Sequence, residues 1–245
     1  MRFYQTIKKK RGSRFLVLLL PGYTGGSGAF SSLIPLFTSD IISITYPGHG
    51  EDYKNFPSTN SEDWEQSVIR VIKEESEHYD DILIVGYSMG GSLALLYGKD
   101  YPKILLAPAV IGKANSPRDD QNKKPITLDA VNPKLKAMCD AEDIEALQWF
   151  LRTDSQKSQI ELNKIETKAN NLTRIDFDNT YAFIGEKDPV IPYSKANPWL
   201  TEHNIKVKSF KESTHAILYD DNATKVIDDI KGVLFSNKEF ENFIS

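Results

Sequence analysis

A serine lies between two glycines in the sequence Gly86-Tyr87-Ser88-Met89-Gly90. A serine hydroxyl is a weak nucleophile at neutral pH, and it becomes reactive when a base takes its proton and a third group orients the base. A pattern typical of a buried strand precedes the motif and a helix-forming stretch follows it, so we expect Ser88 on a sharp strand-to-helix turn. The motif therefore indicates nucleophilic catalysis by Ser88.

The base must come from one of four histidines, and His215 is the best candidate. It follows the strand-like residues 205–210 across a short polar loop, which predicts a position at the carboxyl end of the last strand. Sites in open α/β sheets gather at that edge. His49 precedes the serine in the chain, whereas His78 ends a charged helix and His203 lies in a polar loop.

The third group is an acid, which we expect between the serine and the histidine in the chain. Asp188 follows the carboxyl end of a strand-like run. Asp176 and Asp178 precede the same run and are expected at the opposite edge of the sheet. A turn-forming role ahead of Pro189 is the alternative for Asp188, and Glu186 is a weaker substitute for the acid.

An oxyanion formed by attack on a carbonyl needs two backbone N–H donors. We expect one from Met89, directly after the nucleophile, and the other from Tyr23, in the glycine-rich turn 21–26. A plain glycine-rich turn is the alternative interpretation. The turn lacks the glycine patterns of nucleotide-binding loops, and no metal-ligand motif occurs in the chain, so neither a cofactor nor a metal is expected.

Strand-like apolar runs alternate with helical segments along most of the chain, which predicts an α/β fold with a mostly parallel sheet and helices on both faces. Residues 3–7 are expected to add an antiparallel edge hairpin. Thr59 and Glu62 have the spacing of a capping box at a helix start, and a final helix is expected over about 223–235. The strand-like runs are 15–20, 41–45, 82–86, 103–107, 180–184 and 205–210.

The alternation stops over residues 108–178, which we interpret as a helical cap inserted into a core of residues 1–107 and 179–245. Helical spacing recurs within the cap near 142–151 and 156–168. Some apolar cap residues are candidates for an acyl pocket, although packing of a helix onto the core is the commoner role. These residues are Ile144, Leu147, Trp149, Phe150 and Leu151.

Composition limits the class of protein. The 245 residues are 40% hydrophobic and 26% charged, which fits one α/β domain, and the net charge of −4 disfavours a nucleic-acid partner. Residues 8–20 resemble a signal peptide, but their apolar part is too short, and no stretch has the length of a membrane span. The single cysteine, Cys139, excludes an internal disulfide. We therefore expect a soluble, cytoplasmic protein that acts on a small molecule.

The motifs together resemble the α/β-hydrolase superfamily over the whole chain outside the cap, and most of all small bacterial carboxylesterases of the monoacylglycerol-lipase-like group. The resemblance implies Ser88 as nucleophile, Asp188 as acid, His215 as base, and Tyr23 and Met89 as oxyanion donors. That family usually has histidine before the glycine of the oxyanion turn, where this chain has proline. The motifs lie at 18–25, 46–50, 63–64, 86–91, 185–192 and 213–220.

The expected activity is hydrolysis of a small-molecule carboxylic ester with a short to medium acyl chain, through an acyl-enzyme. Residues 21–27 and 46–48 also resemble type II thioesterases, so an acyl thioesterase or an acyl-carrier-protein ester hydrolase is the alternative. A non-catalytic binding module is a second alternative. The cap mixes lysines and glutamates, so no basic docking face for an acidic carrier protein is expected. The oligomeric state is not predicted.

Overall fold

The computed structural model describes residues 3–110, 132–154, 156–173 and 177–244. Within these ranges, seven strands form one sheet in the order β1-β3-β2-β4-β5-β6-β7. Only β1 runs antiparallel to its neighbour, and all other pairs are parallel. The strands are β1 Lys8–Lys9, β2 Phe15–Leu20, β3 Asp40–Ser43, β4 Asp81–Tyr87, β5 Lys103–Leu106, β6 Thr180–Gly185 and β7 Lys206–Phe210. The predicted mostly parallel sheet is confirmed.

The centre of the sheet is formed by β2 and β4, whose residues are almost all apolar. Leu18 pairs with Ile42 on one side and with Ile84 on the other. All three side chains are buried, because strands covered by helices on both faces have no solvent-exposed side. The central strands therefore form a rigid base for the loops at their carboxyl ends.

Both faces of the sheet carry helices. The connections containing α1, α2 and α6 step in one direction along the sheet, so right-handed crossovers place these helices on one face. The other face is covered by α7 and a short 3₁₀ segment, which contacts β2. The helices are α1 Ser61–Glu75, α2 Met89–Tyr97, α3 Pro133–Ala137, α4 Ala141–Thr153, α5 Gln156–Asn170, α6 Tyr193–Glu202 and α7 Ala223–Ser236. No helix in the described ranges is both long and apolar enough to cross a membrane.

The start of α1 differs from the prediction by one residue. The side chain of Asn60 accepts hydrogen bonds from the N–H groups of Glu62 and Asp63, and the Asp63 carboxylate accepts the N–H of Asn60. Asn60 and Asp63 therefore form the capping box, not Thr59 and Glu62. Asparagine caps a helix as well as threonine does, so spacing alone did not separate the two registers.

The edge strand also differs from the prediction. The antiparallel pair forms between Lys8–Lys9 and β3, directly after the predicted segment 3–7. The start of that segment is bound to α4. Both carboxylate oxygens of the buried Asp143 accept the backbone N–H groups of Phe3 and Tyr4, at 2.7 and 3.0 Å. Because these N–H groups bind a carboxylate in α4, they do not form a strand ladder.

Helices α3, α4 and α5 lie between β5 and β6 in the chain, and we call them the helical insertion. Helices α4 and α5 cover the two stretches whose spacing predicted helices. The insertion is attached to the rest of the fold by buried polar groups. Glu161 of α5 accepts the backbone N–H and hydroxyl of Ser61 at 3.1 and 2.8 Å, and Glu65 of α1 pairs with Lys168 at 2.7 Å. The helical insertion is thus held against α1.

Two glycines with different surroundings test the packing of α2. A Cβ at Gly90 would lie 1.9 Å from the carbonyl oxygen of Leu20, whereas a Cβ at Gly232 in α7 would have nothing within 4 Å. We expect Gly90→Ala to lower the free energy of unfolding by at least about 2 kcal/mol through overpacking. Gly232→Ala should raise it by about 0.5–1 kcal/mol, because alanine favours a helix more than glycine does. Urea unfolding followed by circular dichroism measures both, and equal effects would contradict the packing at Gly90.

Candidate active site

Five candidate residues lie after strands, at the carboxyl edge of the sheet. Tyr23 follows β2, His49 follows β3, Ser88 follows β4, Asp188 follows β6 and His215 follows β7. Because parallel strands end at the same edge, residues far apart in the chain come together there. This edge is the candidate active site.

Ser88 has a backbone conformation that non-glycine residues rarely adopt, with φ 52° and ψ −118°. Its carbonyl oxygen accepts the N–H groups of Gly91 and Ala109 at 2.9 and 3.0 Å, which hold the turn in place. The turn also needs glycine at position 90, where the chain passes against the end of β2. The surrounding hydrogen bonds and packing therefore maintain a strained turn that directs the serine side chain away from the sheet.

Ser88, His215 and Asp188 form one chain of hydrogen bonds. The Nε2 atom of His215 lies 3.0 Å from Ser88 Oγ, and its Nδ1 atom lies 2.8 Å from Asp188 Oδ2. The other carboxylate oxygen of Asp188 accepts the N–H groups of Val190 and Ile191 at 2.7 and 2.8 Å. Asp188 is thus fixed as an acceptor for Nδ1–H, which leaves Nε2 free to accept the serine proton. Such a chain can transfer a proton from a serine hydroxyl to an imidazole.

The loop that carries His215 is held by residues whose role the sequence did not indicate. The hydroxyl of Tyr87 donates to the carbonyl oxygen of His215 at 2.6 Å, and Asp220 accepts the N–H groups of Thr214 and Asn222 at 2.8 and 2.9 Å. Burial, together with the negative charges of Asp188 and Asp220, raises the pKa of Tyr87, so the phenol stays protonated and donates. Tyr87 lies inside the serine motif, but its spacing does not show where its hydroxyl points.

The other acids considered for this site lie elsewhere. Glu186 accepts a hydrogen bond from the hydroxyl of Ser209 at 2.8 Å and is not bonded to the imidazole of His215. Asp178 precedes β6 and is exposed at the opposite edge of the sheet. Asp176 lies outside the described residues.

The other histidines have surroundings that differ from those of His215. His49 is 1% exposed among aromatic rings, and its burial lowers its pKa to about 4, so it is neutral at ordinary pH. Both ring nitrogens of His203 lie near carbonyl oxygens, those of Trp199 and Leu172, at 2.7 and 3.1 Å. His78 is exposed beyond the end of α1.

The turn after β2 passes directly against the serine. A Cβ at Gly22 would lie 3.2 Å from the Cβ of Ser88, so a larger residue would crowd the serine. The turn is closed by a hydrogen bond from the Gly25 N–H to the Gly22 carbonyl at 2.9 Å. The backbone of this turn therefore passes beside the serine side chain.

Two tyrosines support this turn through their hydroxyl groups. The hydroxyl of Tyr46 donates to the carbonyl oxygen of Pro21 at 2.9 Å, and that of Tyr4 donates to the carbonyl oxygen of Thr24 at 3.1 Å. Proline has no N–H to donate, but its carbonyl oxygen accepts. With Pro21 at this position, the turn is held through the carbonyl oxygens of Pro21 and Thr24.

The apolar residues of α4 pack onto the core to different extents. Phe150 is buried and its ring contacts the rings of His49 and Phe56, with centroids 5.9 and 5.2 Å apart. Leu147 is also buried, whereas Ile144, Trp149 and Leu151 are partly exposed. Phe150 therefore serves packing, as the commoner interpretation of this stretch expects.

Neither a thiol nor a metal provides a second reactive group among the described residues. Cys139 donates from Sγ to the carbonyl oxygen of Leu135, and burial raises the pKa of its thiol to about 11. A thiol that stays protonated is a poor nucleophile. In the ranges that the structure covers, no cluster of three or more histidine, cysteine, aspartate or glutamate side chains is arranged to hold a metal ion.

Comparison with known proteins shows similarity to monoacylglycerol lipases and to an esterase. A thermostable monoacylglycerol lipase from Bacillus sp. (strain H-257) is 25% identical over 189 residues, which cover 74% of this chain and 73% of that protein. Among solved structures, a monoacylglycerol lipase from Paleococcus ferrophilus superposes with a TM-score of 0.65 at 16% identity, over 96% of this chain and 99% of the other. An esterase from Exiguobacterium antarcticum superposes with a TM-score of 0.56 at 18% identity, over 94% of each chain.

At these low identities, the structural matches establish a shared fold. The model of one protein family, described as the alpha/beta hydrolase family, matches residues 17–228. This match includes every strand from β3 to β7 and most of β2, together with the Ser88, Asp188 and His215 positions. The chain therefore belongs to the alpha/beta hydrolase family.

Proposed function

We propose that this hydrolase cleaves carboxylic esters with short to medium acyl chains, with Ser88 as the nucleophile, His215 as the base and Asp188 as the acid. The observation that carries the proposal is the hydrogen-bonded chain from Ser88 Oγ through His215 to Asp188, with links of 3.0 and 2.8 Å. The strained turn at Ser88 supports it, because strain is kept where the surrounding structure enforces a particular side-chain direction. The lipases and esterases among the similar proteins support ester chemistry.

In the proposed reaction, Ser88 Oγ attacks the ester carbonyl while His215 Nε2 takes the hydroxyl proton. Asp188 holds Nδ1–H and stabilises the imidazolium that forms. The imidazolium then gives its proton to the leaving alcohol, which departs and leaves an acyl group on Ser88. Water activated by His215 Nε2 attacks the acyl group and releases the acid, which restores the serine. Every proton moves through one ring nitrogen, so the reaction needs no cofactor.

The proposed oxyanion donors are the backbone N–H groups of Met89 and Tyr23. Met89 is the first residue of α2, so its N–H has no acceptor within the helix, and the helix dipole favours negative charge at that end. Tyr23 follows Gly22, which lies against Ser88. Both donors belong to backbone that is fixed by hydrogen bonds, and fixed donors stabilise an oxyanion without reorganising.

We further propose that the helical insertion acts as a cap, with residues 108–178 as the cap and residues 1–107 and 179–245 as the core.

The lysines of the helical insertion help to decide between free esters and carrier-protein substrates. Lys134 pairs with Asp221, Lys164 with Glu161 and Lys168 with Glu65. Within the described part of the insertion, these paired lysines form no net basic face for an acidic carrier protein, which supports small ester substrates over acyl-carrier-protein substrates.

The first activity prediction concerns the nucleophile. Ser88→Ala should lower kcat for p-nitrophenyl ester hydrolysis by at least about 10⁴-fold, because the acyl-enzyme cannot form. Labelling by a fluorophosphonate should also be lost, while circular dichroism and the thermal midpoint stay close to those of the wild type. A folded Ser88→Ala protein with normal turnover would contradict the assignment.

A second prediction separates the two neighbouring acids. Asp188→Asn should lower kcat by about 10³- to 10⁴-fold, because an amide favours the wrong histidine tautomer. Glu186→Gln is the matched control and should keep kcat within about twofold, since its contact is with Ser209. Full activity of Asp188→Asn would show that the acid is misassigned.

The base is tested in the same assay. His215→Ala should be as inactive as Ser88→Ala, whereas the exposed His78→Ala should resemble the wild type.

A third prediction concerns the leaving group. We expect kcat/KM for an acyl-carrier-protein thioester to lie within about threefold of that for the N-acetylcysteamine thioester of the same acyl chain, because the paired lysines on the described helices offer the carrier no basic docking face. The p-nitrophenyl ester of that acyl chain serves as the reference for ester hydrolysis. A carrier-protein advantage of about a hundredfold, abolished by charge reversal on the helical insertion, would favour the thioesterase alternative.

A further inference from the structure

Tyr23 connects the oxyanion turn to the helical insertion through its side chain. Its hydroxyl donates to Oδ1 of Asp154, directly after α4, at 2.6 Å. Its ring lies among three aromatic side chains of the core, with centroids 5.6 Å from Phe56, 5.9 Å from Trp64 and 6.3 Å from His49. The residue is therefore held by the core along its ring and by the helical insertion at its hydroxyl.

Asp154 is itself held at the corner between α4 and α5. Its Oδ1 also accepts the hydroxyl of Ser158 at 3.0 Å, and its Oδ2 accepts the side-chain amide of Gln159 at 2.6 Å. These two donors fix the carboxylate relative to the first turn of α5. A displacement of this corner would move the acceptor of the Tyr23 hydroxyl with it.

We infer that the Tyr23–Asp154 hydrogen bond positions the Tyr23 N–H for the oxyanion, so that the helical insertion sets the geometry of the reaction; this rests on the proposed function. The turn belongs to no helix or strand, and it includes Thr24 at a φ of 53°. Other hydrogen bonds hold the carbonyl oxygens of Pro21 and Thr24 on either side, whereas the bond to Asp154 holds the side chain of Tyr23 itself. Small displacements of a donor weaken an oxyanion interaction strongly, because the gain depends on preorganised geometry. Asp154 is accordingly a positioning residue.

The chain contains a matched control for this hydrogen bond. The hydroxyl of Tyr53 donates to Oε1 of Glu145 in α4, also at 2.6 Å and also near the surface. This second bond joins the same helical insertion to the 3₁₀ segment Gly50–Ser58, which does not include the oxyanion turn. Its loss should loosen the insertion to a similar degree without touching the turn.

The test compares Tyr23→Phe and Asp154→Ala with Tyr53→Phe and Glu145→Ala, using p-nitrophenyl ester turnover. Tyr23→Phe and Asp154→Ala should each lower kcat about tenfold with KM changed less than about twofold, because the interaction acts in the transition state. The double variant Tyr23→Phe/Asp154→Ala should be no worse than either single variant, since both remove one bond. Tyr53→Phe and Glu145→Ala should keep kcat within about twofold of the wild type.

The rate constant of fluorophosphonate labelling provides a second readout, since the phosphonyl oxygen also needs the oxyanion donors. It should fall with kcat in the Tyr23 and Asp154 variants alone. Wild-type kcat in Tyr23→Phe, an equal loss in Tyr53→Phe, or additive losses in the double variant would each overturn the inference.

The same two measurements separate this inference from the proposed function. Wild-type protein that is labelled but hydrolyses no ester would refute the esterase proposal, while the labelling rates of the variants would still decide the role of the Tyr23–Asp154 bond. Wild-type protein inert to both reagents would overturn both proposals.

Discussion

The close approach of α2 to the end of β2 is the constraint on which the rest of the site depends. With 1.9 Å between the position of a Cβ at Gly90 and the carbonyl oxygen of Leu20, only glycine permits this crossing. The crossing allows the backbone at Ser88 to keep its strained conformation and brings the turn after β2 alongside the serine. Asp188 and His215 then need only follow β6 and β7 to reach the serine. A site of this kind is a property of the sheet edge more than of any one loop.

Much of this arrangement could be predicted from the sequence because it depends on strand order and local pattern. Ser88, Asp188 and His215 each follow an apolar run, and parallel strands bring the ends of such runs together. The assignment of the acid between Asp188 and Asp178 depended only on which side of β6 each residue lies. Such a prediction stays correct even when the predicted bounds of a strand are wrong by one or two residues.

The supporting contacts could not be predicted, because they depend on where long side chains point in three dimensions. Tyr87 reaches the carbonyl of His215 across 128 positions of the chain, and Tyr46 reaches Pro21 from another loop. The one-residue error at the start of α1 has the same origin. Asn60 and Thr59 have similar capping propensity, and packing of the helix against Glu161 accompanies the register that the structure shows.

Asp143 accepts hydrogen bonds from the backbone of Phe3 and Tyr4, which lie 140 and 139 positions before it in the chain. These separations affect the order in which contacts can form during synthesis. The backbone of residues 3 and 4 cannot meet its partner until α4 has left the ribosome. By then the strands β2 to β5, with the serine turn among them, have already been made. Residues 3 and 4 can therefore form these hydrogen bonds only after β2 to β5 have been synthesised, which makes them long-range contacts that follow the formation of more local ones.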